Sequence, residues 1–286
     1  MSAAVLAPGL RAASRSRVAV GARPPVTVLL SAAVLVLVLA WSLAPGLFTG
    51  HDPAVGVPDD KFTAPGAAYW LGTDHLGRDL LTRIIHGSAS SMTSALIAVA
   101  IGVLAGGLLG LLGGYLGGWV DAVIGRVIEV LLAIPGFLLA VVIVTALGYD
   151  TRNAAIATGV SAVAVFARLM RSEVLRVRTS VFIEAARLSG ASAGYVLLRH
   201  VLPNAVRPVL SLAVLQFGIA ILVIAGLAFL GYGDPPPASD WGLLVSDGRE
   251  HLLHSPWLVI APGLVIAVVV LSVSRLSSWL DQGRNR

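Results

Sequence analysis

The sequence predicts an all-α membrane protein with six transmembrane helices and both termini in the cytoplasm. Three observations predict it. Of the 286 residues, 57% are hydrophobic and only 12% are charged, where an ordinary soluble domain carries about 25% charged residues. The mean hydropathy is +0.88. The apolar residues gather in uncharged runs near the length of about 20 residues that a spanning helix needs. The cations then sort by side. With the N-terminus inside, Lys61, Arg78, Arg83, Arg152 and Arg249 fall outside and every other arginine falls inside, as the positive-inside rule requires.

The elements follow in order. Residues 1–25 form a cytoplasmic tail carrying Arg11, Arg15, Arg17 and Arg23. Residues 26–44 form the first span. A cleavable leader is the competing reading, because Ser42-Leu43-Ala44 resembles a cleavage site. The apolar run exceeds the usual leader core of about 7–15 residues, so an anchor is expected. An extracytoplasmic loop follows at 45–90. Within it, residues 73–86 fit an amphipathic helix capped by Thr73, with Leu76, Leu80, Leu81, Ile84 and Ile85 on one side. Asp74–Arg78 and Asp79–Arg83 are i,i+4 pairs in the favourable order. That helix either braces the next span at the interface or meets an outer partner.

The core occupies 91–280 with five helices: 91–116, 130–148, 152–170, 206–232 and 256–275. Pro135 is expected to kink the second of these. Arg168 extends the weakest, 152–170, by snorkelling. A cytoplasmic loop lies at 171–204, an outer loop at 233–255, and a short tail at 281–286. Gly102, Gly106, Gly110, Gly114 and Gly118 recur every four residues, giving one helical face without side chains. Such a face admits a close neighbour, either within this chain or from a partner subunit.

The loop 171–204 carries unusual charge for this chain. Residues 171–178 read as helix. Thr179-Ser180 caps a second helix, whose early Glu184 suits the positive end of the helix dipole. Gly190 is a C-terminal stop, a helix restarts over 193–202, and Pro203 opens the next span. The alanines, Ser189 and Gly190 make a flat surface suited to a cleft in another protein; a solvated connector is the bland alternative.

A resemblance to a known family decides between the two. Glu184-Ala185-Ala186, three residues, Gly190, nine residues, then His200-Val201-Leu202-Pro203 resembles the EAA signature of ABC importer permeases, E-A-A-x3-G-x9-I-x-L-P, with His200 in the isoleucine place. Residues 71–79, LGTDHLGRD, resemble the L-G-T-D-x-x-G-R-D segment of dipeptide, oligopeptide and nickel permeases. Residues 114–121, Trp241-Gly242 with Gly248-Arg249, and Pro256-Trp257 with Pro262-Gly263 fit the same group. The chain thus resembles the "C" permease of that family over most of its length beyond the first span.

The resemblance implies the type I ABC importer permease fold in a bacterial inner membrane. It implies a homologous permease as second half, two ATP-binding domains beneath, and an extracytoplasmic solute-binding protein above. ATP and Mg would be held by the ATPase subunits and no cofactor by this chain. Glu184, Ala185, Ala186, Arg187, Ser189, Gly190 and Pro203 would form the ATPase-coupling element. The outer loops would receive the binding protein, with Asp240, Trp241, Asp247 and Glu250 as the expected contacts. The cargo would be a di- or oligopeptide, with nickel or another small cargo such as haem as alternatives.

Several classes lose support. The net charge of +5 follows from topology and calls for no nucleic acid. Cysteine is absent, which removes disulfides, thiolate metal sites and cysteine nucleophiles. No G-x-x-x-x-G-K-[ST] motif occurs; the letters G-x-S-x-G do occur at 190–194, but between two expected helices and not at the strand-to-helix turn a nucleophile elbow needs. Asp247, His251 and His254 have metal-ligand types at unconvincing spacing. Arg126 and Glu129 are expected to pair. Ser211 and Gln216 are the polar residues of the fifth span expected to face a transport path or a neighbouring helix. A stand-alone secondary transporter would call for intramembrane carboxylates or helices broken at mid-membrane, and it leaves the EAA pattern unexplained.

Overall fold

The computed structural model describes residues 25–284; the N-terminal arginine tail before them and the last two residues lie outside the described residues. Eleven α-helices account for most of the described chain. They are α1 (Val26–Leu43), α2 (Leu80–Ile101), α3 (Gly107–Leu116), α4 (Gly118–Ala133), α5 (Gly136–Leu147), α6 (Thr151–Arg178), α7 (Val181–Leu188), α8 (Ala193–Val196), α9 (Leu202–Phe229), α10 (Trp241–Gly248) and α11 (Trp257–Arg284). Among the described residues, five stretches are long and apolar enough to cross a membrane without a break: Val26–Leu43, Leu80–Leu116, Thr151–Arg178, Ala193–Phe229 and Trp257–Trp279.

The remaining expected span, 130–148, is corrected. It is a bent pair, α4 and α5, turning by 92°. Ile134 sits at φ −93°, ψ 127° and Pro135 follows it. A proline ring excludes its predecessor from the helical region and offers no N–H to bond. The kink expected at Pro135 is therefore a full break.

The helix expected over 73–86 is also corrected. Residues 72–79 instead close a loop, with Thr73 bridged to Asp79. Helix α2 begins at Leu80, capped by the Asp79 carboxylate accepting from Thr82 N. Thr73 is no cap, since its hydroxyl bonds the carbonyl of Asp60. Helix α2 then runs into α3 through a wide π-turn at Gly102–Gly106.

The long α6 is the centre of the bundle, and its membrane stretch is the most buried of the five. The glycine face of α2–α3 is what brings it there. A Cβ on Gly106 would lie 2.4 Å from Val163 O, and one on Gly110 2.4 Å from Ala167 O. Gly102 would meet the Phe166 ring at 2.7 Å and Gly114 the Val174 side chain at 2.9 Å. Gly159 of α6 returns the approach, with Ala98 O at 2.9 Å. Four of the expected glycines thus pack inside this chain. Gly118 does not: nothing lies within 4 Å of its Cβ position, and it opens α4 beyond the turn at Gly117.

This packing predicts a sharp contrast. Gly110→Ala would force backbone apart and cost about 1–3 kcal/mol, the usual range for overpacking. Gly136→Ala, with nothing near, would cost nothing measurable. Thermal unfolding of the two variants in detergent checks this, with a lowered midpoint expected for Gly110→Ala alone.

Candidate functional site

The cytoplasmic loop is built from the end of α6 outward. Arg178 reaches back to the last turn of α3, where Nη1 donates to Gly114 O at 2.7 Å and Tyr115 O at 3.3 Å. A cation there satisfies orphan carbonyls and the negative end of the dipole. Tyr115 OH donates to Ala193 O at 2.6 Å, so the end of α3 holds both flanks of α7. Arg171 grips Asp121 of α4 through Nε and Nη2 at 2.5 and 2.8 Å.

Ser180 begins α7 in extended geometry, without a side-chain cap bond. Ile183 is fully buried beneath the helix, and Ala186 and Ala191 pack on the same core. Glu184, Ala185, Arg187, Ser189 and Gly190 face outward. So do Val181, Phe182 and Leu188, the last 84% exposed. Glu184 forms no ion pair among the described residues. The helix ends in a Schellman turn: Gly190 N donates to Arg187 O at 3.0 Å and Ala191 N to Ala186 O at 3.1 Å. Gly190 has φ +85° and open space around it, as this turn demands of its glycine. Ser192 caps α8, which widens through a π-turn at Leu197–Val201 into α9, with the exposed Pro203 in its first turn.

Inward of this loop, one groove runs between α6 and α9. Its inner cavity, about 880 Å³, is lined by residues that include Arg176, Ser180, Phe182, Arg207, Ser211 and Ser277. A second cavity of about 320 Å³ lies further along, lined by residues that include Thr158, Phe166, Gln216, Ile219 and Phe137. On α9 the lining residues 208, 212, 216, 219 and 223 step by three or four, which is one helical face. Ser211 and Gln216 therefore line different cavities along the same groove.

The outer face holds a buried polar cluster. Arg78 Nε donates to Asp74 Oδ2 at 2.7 Å, and Arg83 Nη1 to the same oxygen at 2.9 Å. Arg83 Nη2 donates to Ala238 O at 2.9 Å and lies 3.6 Å from Asp247 Oδ2. Both arginines are 1% exposed. The Asp74–Arg78 pair forms, but in a turn; Arg83 turns from Asp79 to Asp74 and Asp247. Burial pushes the Asp74 carboxyl up, but the N–H groups of Arg78 and Leu76 and the two guanidiniums outweigh it, holding it below the usual carboxylate range.

Asp240 and Trp241 are corrected as outer contacts, for both are inside the fold. Asp240 accepts from Gly242 N and Ser91 Oγ, each at 2.9 Å. Burial pushes its carboxyl above the ordinary range despite those bonds. Trp241 is fully buried and donates from Nε1 to Ile84 O at 2.9 Å. Asp247 is half-buried against Arg83, which leaves Glu250 as the exposed member of that set. Arg126 and Glu129 do pair at 3.3 Å, fully at the surface. Among the described residues no group of three metal-type ligands converges, so Asp247, His251 and His254 form no metal site.

The chain belongs to the family of binding-protein-dependent transport system inner membrane components, whose model matches residues 102–286. It is 38% identical over 234 residues to the dipeptide transport system permease protein DppC of Alkalihalophilus pseudofirmus, covering 82% of this chain and 77% of that one. It is 36% identical to the probable D,D-dipeptide transport system permease protein DdpC of Escherichia coli K12, covering 86% and 83%. It is 37% identical to the glutathione transport system permease protein GsiD of Pectobacterium atrosepticum, covering 76% and 72%. In fold it matches the inward-facing MetNI methionine ABC transporter, with TM-score 0.60 and 15% identity over 72% of this chain and 98% of that one. An amino acid ABC transporter matches with TM-score 0.55 and 18% identity over 71% and 94%. The protein is a multi-pass component of the bacterial inner membrane with the ABC importer permease fold.

The outer cluster predicts that Arg83→Ala, which takes from Asp74 one of its two cations and from Asp247 its cation, costs about 3–5 kcal/mol, the usual loss when one partner of a buried pair is removed. It predicts a pH dependence as well. The depressed Asp74 pKa contributes stability above the unfolded value of about 3.9 and loses it as pH falls through the folded value. Unfolding midpoints of the wild type at pH 7 and pH 3, beside Arg83→Ala at pH 7, read both effects.

Proposed function

We propose that this chain forms half of the transmembrane pathway of an ATP-driven importer of di- or oligopeptides. The other half is a homologous permease, and an extracytoplasmic binding protein delivers the cargo. ATP and Mg are held by two ATP-binding domains in partner subunits. The only lysine, Lys61, lies in the outer loop, so this chain offers no phosphate-binding lysine on the cytoplasmic side. The observation that carries the proposal is the exposed helix α7. Its buried Ile183 and Schellman turn fix it rigidly to α6, while Glu184, Ala185, Arg187, Ser189 and Gly190 face away from the bundle.

A partner that grips that surface pulls on the inner ends of α6 and α9 from either side, because the loop joins α6 at Arg178 and α9 near Pro203. The groove between those two helices is then the part of the bundle whose width responds. Ser211 and Gln216 are hydroxyl and amide groups of α9 that meet the cargo along it. Peptide as cargo is supported by the dipeptide and glutathione systems to which the relatives belong. On the outer face Glu250 stays available for the binding protein.

Glu184→Lys and Gly190→Asp should each abolish uptake while the protein stays inserted in the membrane. A side chain at Gly190 also strains the turn by about 1–2 kcal/mol. Uptake of radiolabelled dialanine by cells carrying the whole importer, with membrane levels measured by immunoblot, checks this. Normal uptake by both variants would remove the coupling role.

A further inference from the structure

The inner cavity has a chemistry that nothing above has used. Its charged lining residues, among the described residues, are Arg176 and Arg207, with no carboxylate among them. Arg176 spends Nε and Nη2 on Glu173 at 2.9 and 2.5 Å, leaving Nη1. Arg207 makes no hydrogen bond or ion pair among the described residues. Of the neutral donors beside them, Ser180 Oγ donates to Val177 O at 2.5 Å and Asn204 Nδ2 spends one N–H on His200 O at 2.6 Å. The charged donors for a guest are guanidinium N–H groups, whose planar fork matches an oxyanion of carboxylate shape. Leucines at 169, 212 and 215 supply an apolar wall. The volume, about 880 Å³, lies within the range of about 300–1,000 Å³ for small-ligand sites.

We propose that this cavity is a receiving station for the cargo's carboxylate at the inner end of the path, with Arg207 as its principal ligand and Arg176 as the second. The inference rests on the peptide reading for the identity of the cargo, though not for the anion chemistry. A zwitterionic peptide is drawn inward by its C-terminal end, while a cationic end finds no partner. The site also borders the coupling element, for Ser180 begins α7 and Phe182 is its second residue. A guest in the cavity therefore touches the helix that the ATPase is proposed to grip.

The test uses the whole permease–ATPase complex in nanodiscs of zwitterionic lipid, with the binding protein omitted. Binding of dialanine, dialanine amide and succinate is followed by saturation-transfer NMR on the ligand methyl or methylene protons. Dialanine should bind, and its amide about tenfold more weakly, the scale of losing a charge-assisted pair. Arg207→Gln should show the same loss for dialanine, and Arg207→Lys a smaller one. Equal binding of acid and amide to the wild type overturns the proposal without any variant, so misfolding cannot disguise the answer. Succinate binding that is lost in Arg207→Gln, with no binding of dialanine, keeps the carboxylate station and removes peptide as the cargo. Phosphatidylglycerol retained by the wild type in native mass spectrometry and lost in Arg207→Gln, with neither dialanine nor succinate bound, makes the site a lipid seat and overturns the proposal.

Discussion

The closeness of α2–α3 to α6 is the constraint from which the rest of the structure follows. In lipid, apolar side chains gain nothing by leaving one apolar surface for another, so helices are held by tight packing and polar contacts. Gly102, Gly106, Gly110 and Gly114 let α6 approach until backbone meets backbone, with Gly159 returning the fit. Once α6 is fixed, both of its ends are tied down. At the outer end Thr151 N donates to Asp234 Oδ1 at 3.0 Å and Asp234 N to Thr151 Oγ1 at 3.1 Å. At the inner end Arg171 holds Asp121 and Arg178 holds the end of α3. Helix α6 is thus a braced rod from the outer loop to the helix exposed in the cytoplasm.

The outer face shows the same economy in polar terms. Arg83 gathers three separate segments: the loop at Asp74, the carbonyl of Ala238, and Asp247 of α10. Asp240 joins α10 to α2 through Ser91. These contacts tie the outer end of α2 to the segment 238–247 that lies between α9 and α11 in the chain. Removing one partner leaves a buried charge alone, which is more costly than never having placed the pair. The charges that resembled a docking surface are therefore a clasp, and the surface left for a partner is smaller than the loop's composition implies.

What the sequence disclosed divides along physical lines. The unbroken spans were legible because their composition answers to one solvent, and Gly190 was legible because a glycine at the end of a helix has a geometric reason to be there; the cap expected from Thr179-Ser180 does not form, since the Ser180 hydroxyl bonds Val177 O. The glycine face was legible as a packing face, though whether its neighbour lay inside the chain was a tertiary matter. The 73–86 segment misled because i,i+4 spacing fits both a helix and a tight turn; Gly77 at φ +77° breaks the helix that Asp74 and Arg78 otherwise suggest. Asp240 and Trp241 misled because polar and aromatic residues in a loop read as surface, whereas here one caps a buried helix and the other fills its base. At Pro135 the direction of the effect was legible, but its size, 92°, depends on packing that no local pattern carries. The α6–α9 groove with its two arginines was invisible, since its lining comes from distant parts of the chain.

The central claim is that α7 is the surface gripped by the ATPase. The chain contains no cysteine, so a single one placed there reports without background. Ala185→Cys and Leu188→Cys would be introduced separately into the assembled importer and treated with a short heterobifunctional cross-linker that joins a thiol to an amine, in membranes. The account predicts a covalent adduct with an ATP-binding subunit from both positions, and none from Gly46→Cys in the outer loop. If both cysteines in α7 instead label freely with a bulky maleimide in the full complex and form no adduct, that helix is a solvated connector and the account is wrong.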